Sequence, residues 1–490
     1  MDGKGVPAGL AAVADSAAEL ICGDGGSVRA YEELLDAVVR RAGRDRVGLA
    51  EVLRPVADHW SGLHRPRTRA AQRLLAVVRA AVQPVGAEPR AARAGGGDWL
   101  ETCQHEAARL VIDERVAEVC GWLRDGVTVP MLLAAPSRAG GAVDPRDLVM
   151  RLTEYEQAGA RPGPADLGQA LLRCGGGPVD REVLRAAAEL TLPEGPRVAA
   201  WLRQGGLPRP EWTVEQEPGP PQPPSRRRGA RVGRRVLVGT GELPGRGDFP
   251  RTFWPLFRRF EPLIGCRHLL LGHRERHAAA VLPWHPEIVA ARMLAEVAAT
   301  ADQDGPGNAG GAEFLPALAA SEGPPGPAVH LALAYGLGAG PDADREAAVA
   351  ALTALAARDR LDGALLGGEL ARLVLLGTLR LPVVTESLRA AAGTASAGAA
   401  GSGAVGGSTA GGGAGVVWPV LAAALPGLLA AVRAGALPRH HPPLLSLAAD
   451  CARDSGARGT VVGVEELAGR PGSSQAVREA RRLRNTLAAA

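Results

Sequence analysis

One pattern recurs along most of this chain and limits what it can fold into. Apolar residues fall three and four apart in runs of about 12–15 residues, closed off by short Gly, Pro or Asp turns. In HPEIVAARMLAEVAA, Val289, Met293 and Val297 are four apart, with Leu294 beside them. Pro286 suits the first helical position, where its missing N–H would have had no partner. Glu287 then sits in the first turn, at the positive end of the helix dipole. DREAAVAALTALAARD sets Val349, Leu352 and Ala356 on one stripe, with Asp344 placed to cap the start. ALLGGELARLVLLG repeats the spacing with Leu366, Leu370 and Leu373. SSQAVREARRLRNTL turns Ala476, Ala480, Leu483 and Leu487 inward and Arg478, Arg481 and Arg482 outward. The first two hundred residues read the same way, in YEELLDAVVRRAG, TRAAQRLLAVVRAAV, ETCQHEAARLVIDERVAEVCGWLRDG and DPRDLVMRLTEYEQAG. Strand alternation is scarce, and RRVLVGT at Arg234–Thr240 is its best instance.

These helices are alanine-rich, and aromatic residues are only 3% of the chain. No helix carries an aromatic face large enough to anchor a globule, whereas small side chains let neighbouring helices approach closely. The expected fold is therefore all-α: stacked helical hairpins of the HEAT-like α-solenoid kind, whose repeats run roughly 40–47 residues and bury a core by stacking. Two composition breaks divide it. Glu215–Arg235 is rich in Pro and Arg, and Ala391–Gly415 is an uncharged Gly/Ala/Ser tract; both read as disordered tethers. The expected organisation is an N-terminal helical domain at 1–214, a linker at 215–235, a central helical-repeat region at 236–390, a disordered tract at 391–415 and a C-terminal helical cap at 416–490. The two lobes would be joined by the Pro/Arg-rich linker.

Several of these segments resemble a known family. LPWHPEIVAARML, AVHLALAYGLGAG, VWPVLAAALPGLLA and GSSQAVREARRLRNTL look like the C-terminal part of an actinobacterial protein family of unknown function. DPRDLVMRLTEYEQAGARPGPADLGQALLRC looks like a more N-terminal part of it. The resemblance covers about half the chain and contains no chemical motif. It implies a large, helical, cytoplasmic protein, and a SWIM-type zinc-finger protein as partner. It brings no catalytic residues to carry over.

Chemistry has one candidate cluster. Cys266, His268, His273, His277 and His285 fall within 20 residues of one another. His273 and His277 are four apart, the spacing that puts two imidazoles on one helix face for zinc, with Cys266 and His268 as further ligands. The surroundings argue against it. Arg267, Arg274 and Arg276 raise the local positive potential, Glu275 is the only carboxylate between the two histidines, and no HExxH or CxxC is present. The expected reading is structural histidines, with no metal, cofactor or catalytic residue. The glycine-rich Val238–Pro250 lacks the lysine and spacing of a phosphate loop and reads as a surface loop. No GxSxG is present, Asp58-His59 has no nucleophile placed beside it, and Glu465 and Glu466 are adjacent and so diverge on a helix.

Charge excludes little. A net charge of +4, from 56 basic and 52 acidic residues, is too even to demand a polyanionic partner. Nearly all the basic residues are arginine. The run Arg226–Arg235 is the one nucleic-acid candidate, and no aromatics interleave it for base stacking. The six scattered cysteines form no CxxC pair and read as buried free thiols. Val416–Val432 is uncharged but short for a membrane span and reads as a buried helix. The expectation is a non-enzymatic cytoplasmic scaffold or adaptor that binds other proteins, with a nucleic-acid role through Arg226–Arg235 and a zinc role through Cys266–His277 as alternatives.

Overall fold

The computed structural model describes residues 9–23, 25–60, 66–86, 107–217, 235–262, 275, 277–301, 310–398, 412–435 and 441–489. Among them are twenty helices, and regular strand is confined to one pair of short segments.

The N-terminal half is a helical bundle. α1 (Leu10–Cys22) lies against α2 (Val28–Arg44), α3 (Arg46–His59) and α4 (Arg69–Val82); α4 meets α5 (Ala107–Asp125), which meets α7 (Pro164–Arg173). α6 (Pro145–Gln157), α8 (Arg181–Glu189) and α9 (Gly195–Gln204) complete it. The helix starts follow local chemistry. Ser27, Asp45, Thr68 and Asp144 each accept a backbone N–H from the first turn that follows them. Between α5 and α6, Val129–Val143 runs through the interior without regular structure, and most of its apolar residues are buried. A buried segment of this kind must have its backbone satisfied by side chains. Tyr155 donates to Met131 O at 2.5 Å, Arg151 to Leu133 O and Ala135 O at 2.8 and 2.5 Å, and Leu132 N donates to Asp36 at 2.7 Å.

The boundary expected at residue 215 falls inside a strand. β1 (Trp212–Glu217) pairs antiparallel with β2 (Arg235–Thr240), so the two flanks of the expected linker are hydrogen-bonded to each other; residues 218–234 lie outside the described residues. The strand anticipated at Arg234–Thr240 is present from Arg235. β2 is buried along its whole length and packs on α11 (Pro286–Thr300) and α13 (Pro327–Leu337). The Tyr335 hydroxyl brackets its edge, accepting from Val236 N at 2.8 Å and donating to Val236 O. One hydrophobic cluster runs from Val13 to Leu487, so the halves share a core and are not lobes on a tether. α10 (Trp254–Phe257) lines the seam.

From Pro286 onward the helices form two layers. α11, α13, α15 (Gly363–Leu375) and α17 (Gly412–Arg433) stack one on the next; α12 (Leu315–Ala319), α14 (Asp342–Ala357), α16 (Leu381–Gly398), α18 (Pro442–Asp454) and α20 (Gln475–Ala488) do the same beside them. α19 (Val464–Gly469) packs under α20. α11 and α13 are buried on nearly every side, whereas α14 and α20 keep exposed faces. Small residues set the spacing. A side chain on Gly367 of α15 would collide with Val420 O of α17 and reach 2.8 Å from Ala423 Cβ.

The tract expected as disordered at 391–415 is partly helical: α16 reaches Gly398 and α17 starts at Gly412, while 399–411 lie outside the described residues. α17 runs on through Pro419 and Pro426, is long and apolar enough to cross a membrane by length and composition alone, and buries Val417, Val420, Leu421 and Leu425 against its neighbours. Small corrections come at helix faces. Val477, not Ala476, is buried on α20, and Leu355, not Ala356, on α14.

Candidate functional site

The interior of the N-terminal half holds a connected set of charges. Arg115 of α5 reaches Glu32 of α2 at 2.6 and 2.8 Å and Asp166 of α7 at 2.9 Å. Arg173, at the end of α7, meets the same Glu32 at 2.7 Å and donates to Ala134 O at 2.5 Å and Ala280 O at 2.8 Å. Asp166 also accepts from Leu133 N and Ala134 N, at 2.6 and 3.3 Å. All four side chains are buried. Burial alone would raise the Glu32 carboxyl; Arg115 and Arg173 overcome it and hold Glu32 down to about 2. Burial lowers Arg115, but Glu32 and Asp166 more than compensate and raise it.

A second knot extends this set toward the expected metal cluster. Arg73 of α4 pairs with Asp113 at 2.6 Å and with Glu275 at 2.6 Å. Glu275 also accepts from His277 N at 3.2 Å. His277 is buried, and its Nε2 lies 3.3 Å from Gly26 O, so that nitrogen carries the proton. Its ring meets Tyr31 edge-on at 4.9 Å. Burial lowers the His277 pKa against the pull of Glu275. His277 precedes a 3₁₀ turn at Ala278–Ala280 and is not on an α-helix face. His285 stands eight residues on, buried at the start of α11. Its burial, with Arg209 nearby, brings it down to about 4. Cys266, His268 and His273 lie outside the described residues. Among the described residues no group of three or more His, Cys, Asp or Glu could hold a metal ion. His277 and His285 both lie at the seam between the halves.

The chemistry of this interior is that of a joint. Each carboxylate is spent on an arginine or on backbone N–H groups, and Glu275 with residues 277–284 forms its far wall. Gln169 donates to Val281 O at 3.1 Å, and the Trp284 indole donates to Arg173 O at 3.1 Å. Sequence reading passed over Glu32, Arg73, Arg115, Asp166 and Arg173. The one signal for them was charge on the apolar side of a helix pattern, as at Asp166 in PADLGQALLR.

Carboxylates also cap helices other than their own. α7 begins with Gly163-Pro164 and has no capping side chain; Glu118 of α5 accepts from Ala165 N and Asp166 N at 2.9 and 2.8 Å. α13 begins with Gly326-Pro327; Glu287 of α11 accepts from Gly326, Ala328 and Val329 N at 2.7–2.9 Å. Asp344, expected as a cap for its own helix, lies within the first turn of α14 and accepts from Gly310 N and Ala312 N at 2.7 and 2.8 Å. Burial pushes the Glu118 carboxyl up to about 7, against the two N–H groups that lower it.

The described residues also form surface clefts, two of them roomy. A polar one of about 490 Å³ lies where α6 and α8 begin; Asp144 pairs there with Arg138 and Asp180 with Arg146, and Asp147 accepts from the Ser137 hydroxyl. The other, of about 540 Å³, runs between α14 and α16. Arg226–Arg234 lie outside the described residues, and Arg235, the last of that run, is buried in β2. His59 is exposed with its ring edge to Trp60, and Glu466 pairs with Arg433 and Arg470 at the surface. Cys120, Cys174 and Cys451 are buried free thiols, pushed up to about 11, 12 and 11 by burial, whereas Cys22 is exposed. Comparison with known protein families, curated proteins and solved structures finds no match to this chain.

Proposed function

We propose that this chain is a non-enzymatic, cytoplasmic scaffold or adaptor, built as a HEAT-like α-solenoid on an N-terminal helical bundle, that binds other proteins. The observation that carries this reading is the two-layer stacking from Pro286 onward, in which each helix packs on the next but one in sequence. The first residues of one layer, 286, 327, 363 and 412, are spaced by roughly forty residues, the period of HEAT-type units. Such stacking makes an elongated surface whose area grows with each repeat, suited to holding another protein. The buried charges support the same reading, since they are tied to one another and to backbone instead of being presented in a cleft.

The test is a pull-down of the tagged full chain from its native lysate, with and without nuclease, read by mass spectrometry. A stoichiometric protein that survives nuclease is the expected result; the resemblance implies a SWIM-type zinc-finger protein in that place. Partners that vanish with nuclease would overturn the scaffold reading in favour of the Arg226–Arg235 run.

A further inference from the structure

The cleft between α14 and α16 has a directional chemistry. Along α14 its wall is one helical stripe, Asp342, Glu346, Val349, Ala350 and Thr353, a length of about 16 Å. Glu386 and Ala390 of α16 form the facing wall. The floor is apolar and small, and the rim is acidic. Arg345 is the one cation in the lining, and it is occupied: it donates to Ala339 O at 3.0 Å and Gly340 O at 2.5 Å and pairs with Asp342. Glu346 and Glu386 are exposed and have no ion-pair or hydrogen-bond partner among the described residues.

We propose that this cleft is a docking groove for a short amphipathic helix of a partner protein, with arginine or lysine set against Glu346 and Glu386. This deepens, and rests on, the scaffold reading. The walls decide the form of the occupant. Both are α-helices whose backbone groups, past the first turn of α14, are paired within the helix, so an extended peptide would find no ladder to join; a helix brings its own hydrogen bonds and offers only side chains. The charge decides its sign. Two unpaired carboxylates repel phosphate, which excludes nucleic acid and anionic membrane and selects a basic segment. Between the walls, Val349, Ala350 and Thr353 on one side and Ala390 on the other admit small and medium apolar side chains at i, i+3, i+4 and i+7. A cleft of this size anchors only a few side chains, so the contact is a weak, exchangeable one.

The experiment selects a phage-displayed library of helix-forming peptides of about 14 residues on the immobilised full chain. Enrichment of peptides that carry Lys or Arg beside an apolar stripe is expected. One enriched peptide, fluorescein-labelled, is then titrated by anisotropy against the native chain, the plugged variant Ala350→Trp/Ala390→Trp and the charge-reversed variant Glu346→Arg/Glu386→Arg. Both positions in the plugged variant are exposed, so the fold is expected to hold, and circular dichroism checks it. Each variant should weaken binding tenfold or more, and added salt should weaken binding to the native chain. Enrichment without basic residues, no enrichment, or equal binding to the plugged variant overturns the groove. The nuclease-resistant pull-down, repeated with the plugged variant, separates the two claims. A partner kept by both chains leaves the scaffold standing without this groove; no partner for either removes the scaffold as well.

Discussion

At the scale of the residue, the interior charges behave in opposite ways to those at the surface. Arg115 is the shared partner of Glu32 and Asp166, all three out of water. Arg115→Met keeps the bulk but takes an arginine from both carboxylates, leaving Glu32 with Arg173 alone and Asp166 with backbone N–H groups alone, and breaking a buried pair in this way costs about 3–5 kcal/mol. Arg433→Ala breaks the exposed pair with Glu466 and should cost less than about 1 kcal/mol. Urea unfolding of the two variants checks the contrast; equal midpoints would show that the interior network is not under load. His285 supplies the pH dependence. Its folded pKa of about 4 lies below the ordinary 6.5, so the unfolded chain takes up the proton first. The stabilisation is complete above pH 6.5 and is lost as pH falls through 4, by about 3 kcal/mol. Glu118, raised to about 7, works the other way in an overlapping window: its contribution is complete below 4.5 and is lost as pH rises through 7. The diagnostic is therefore a difference. Native protein minus His285→Gln, followed by urea midpoints from pH 7 to 4, should decline; a flat difference would mean that the histidine is not held neutral.

At the scale of the element, the helices were legible and their joints were not. The stripes at Val289–Val297, Leu366–Leu373 and Ala480–Leu487 mark real helices because a 3.6-residue period is a local property. Glu287 does stand in the first turn of its own helix, but its hydrogen-bond partners, like those of Asp344, stayed hidden for the opposite reason. A carboxylate in a first turn looks like a partner for its own dipole, but these two serve N–H groups about 40 and 30 residues away, a distance no local spacing reports. The same limit hid Arg115 and Arg173, whose partners come from α2 and α7 and from the backbone of residues 134 and 280. Of the expected cluster, the place of His285 before the helix that opens at Pro286 was legible, but the position of His277 and His285 at the seam was not. Glycine pairs show how finely the elements are fitted. Gly367 and Gly368 are neighbours in α15; a Cβ on the first meets α17, and a Cβ on the second meets nothing within 4 Å. Gly367→Ala should cost about 1–3 kcal/mol by forcing α17 outward. Gly368→Ala should be neutral or add up to about 1 kcal/mol through helix propensity. Thermal melts that rank the pair the other way round would reject this contact.

At the scale of the whole molecule, the composition breaks suggested independent pieces, and the packing joins them. β1 pairs with β2 across the expected linker, Arg73 reaches Glu275, and Arg173 holds Ala280 O. Phe249, from the C-terminal half, packs its ring 5.4 Å from Trp201 of the N-terminal half. None of these contacts can open alone without exposing buried charge or aromatic surface, so α2, α4, α5, α7 and α11 should unfold as one unit. The far end differs. α18, α19 and α20 touch little beyond one another and the last helices of each layer. In a stacked array, stability is a sum of near-neighbour terms, so a terminal unit with one neighbour opens first. Native-state hydrogen exchange in rising urea, read by mass spectrometry, reports each segment. Peptides from 28–44, 69–82 and 286–300 should lose protection together, and those from 442–488 at lower urea. If 28–82 opened while 286–300 stayed protected, the buried charges would not be joining the halves. If 442–488 opened together with 286–300, the repeat region would be one cooperative block, and the additive stacking assigned to it would be wrong.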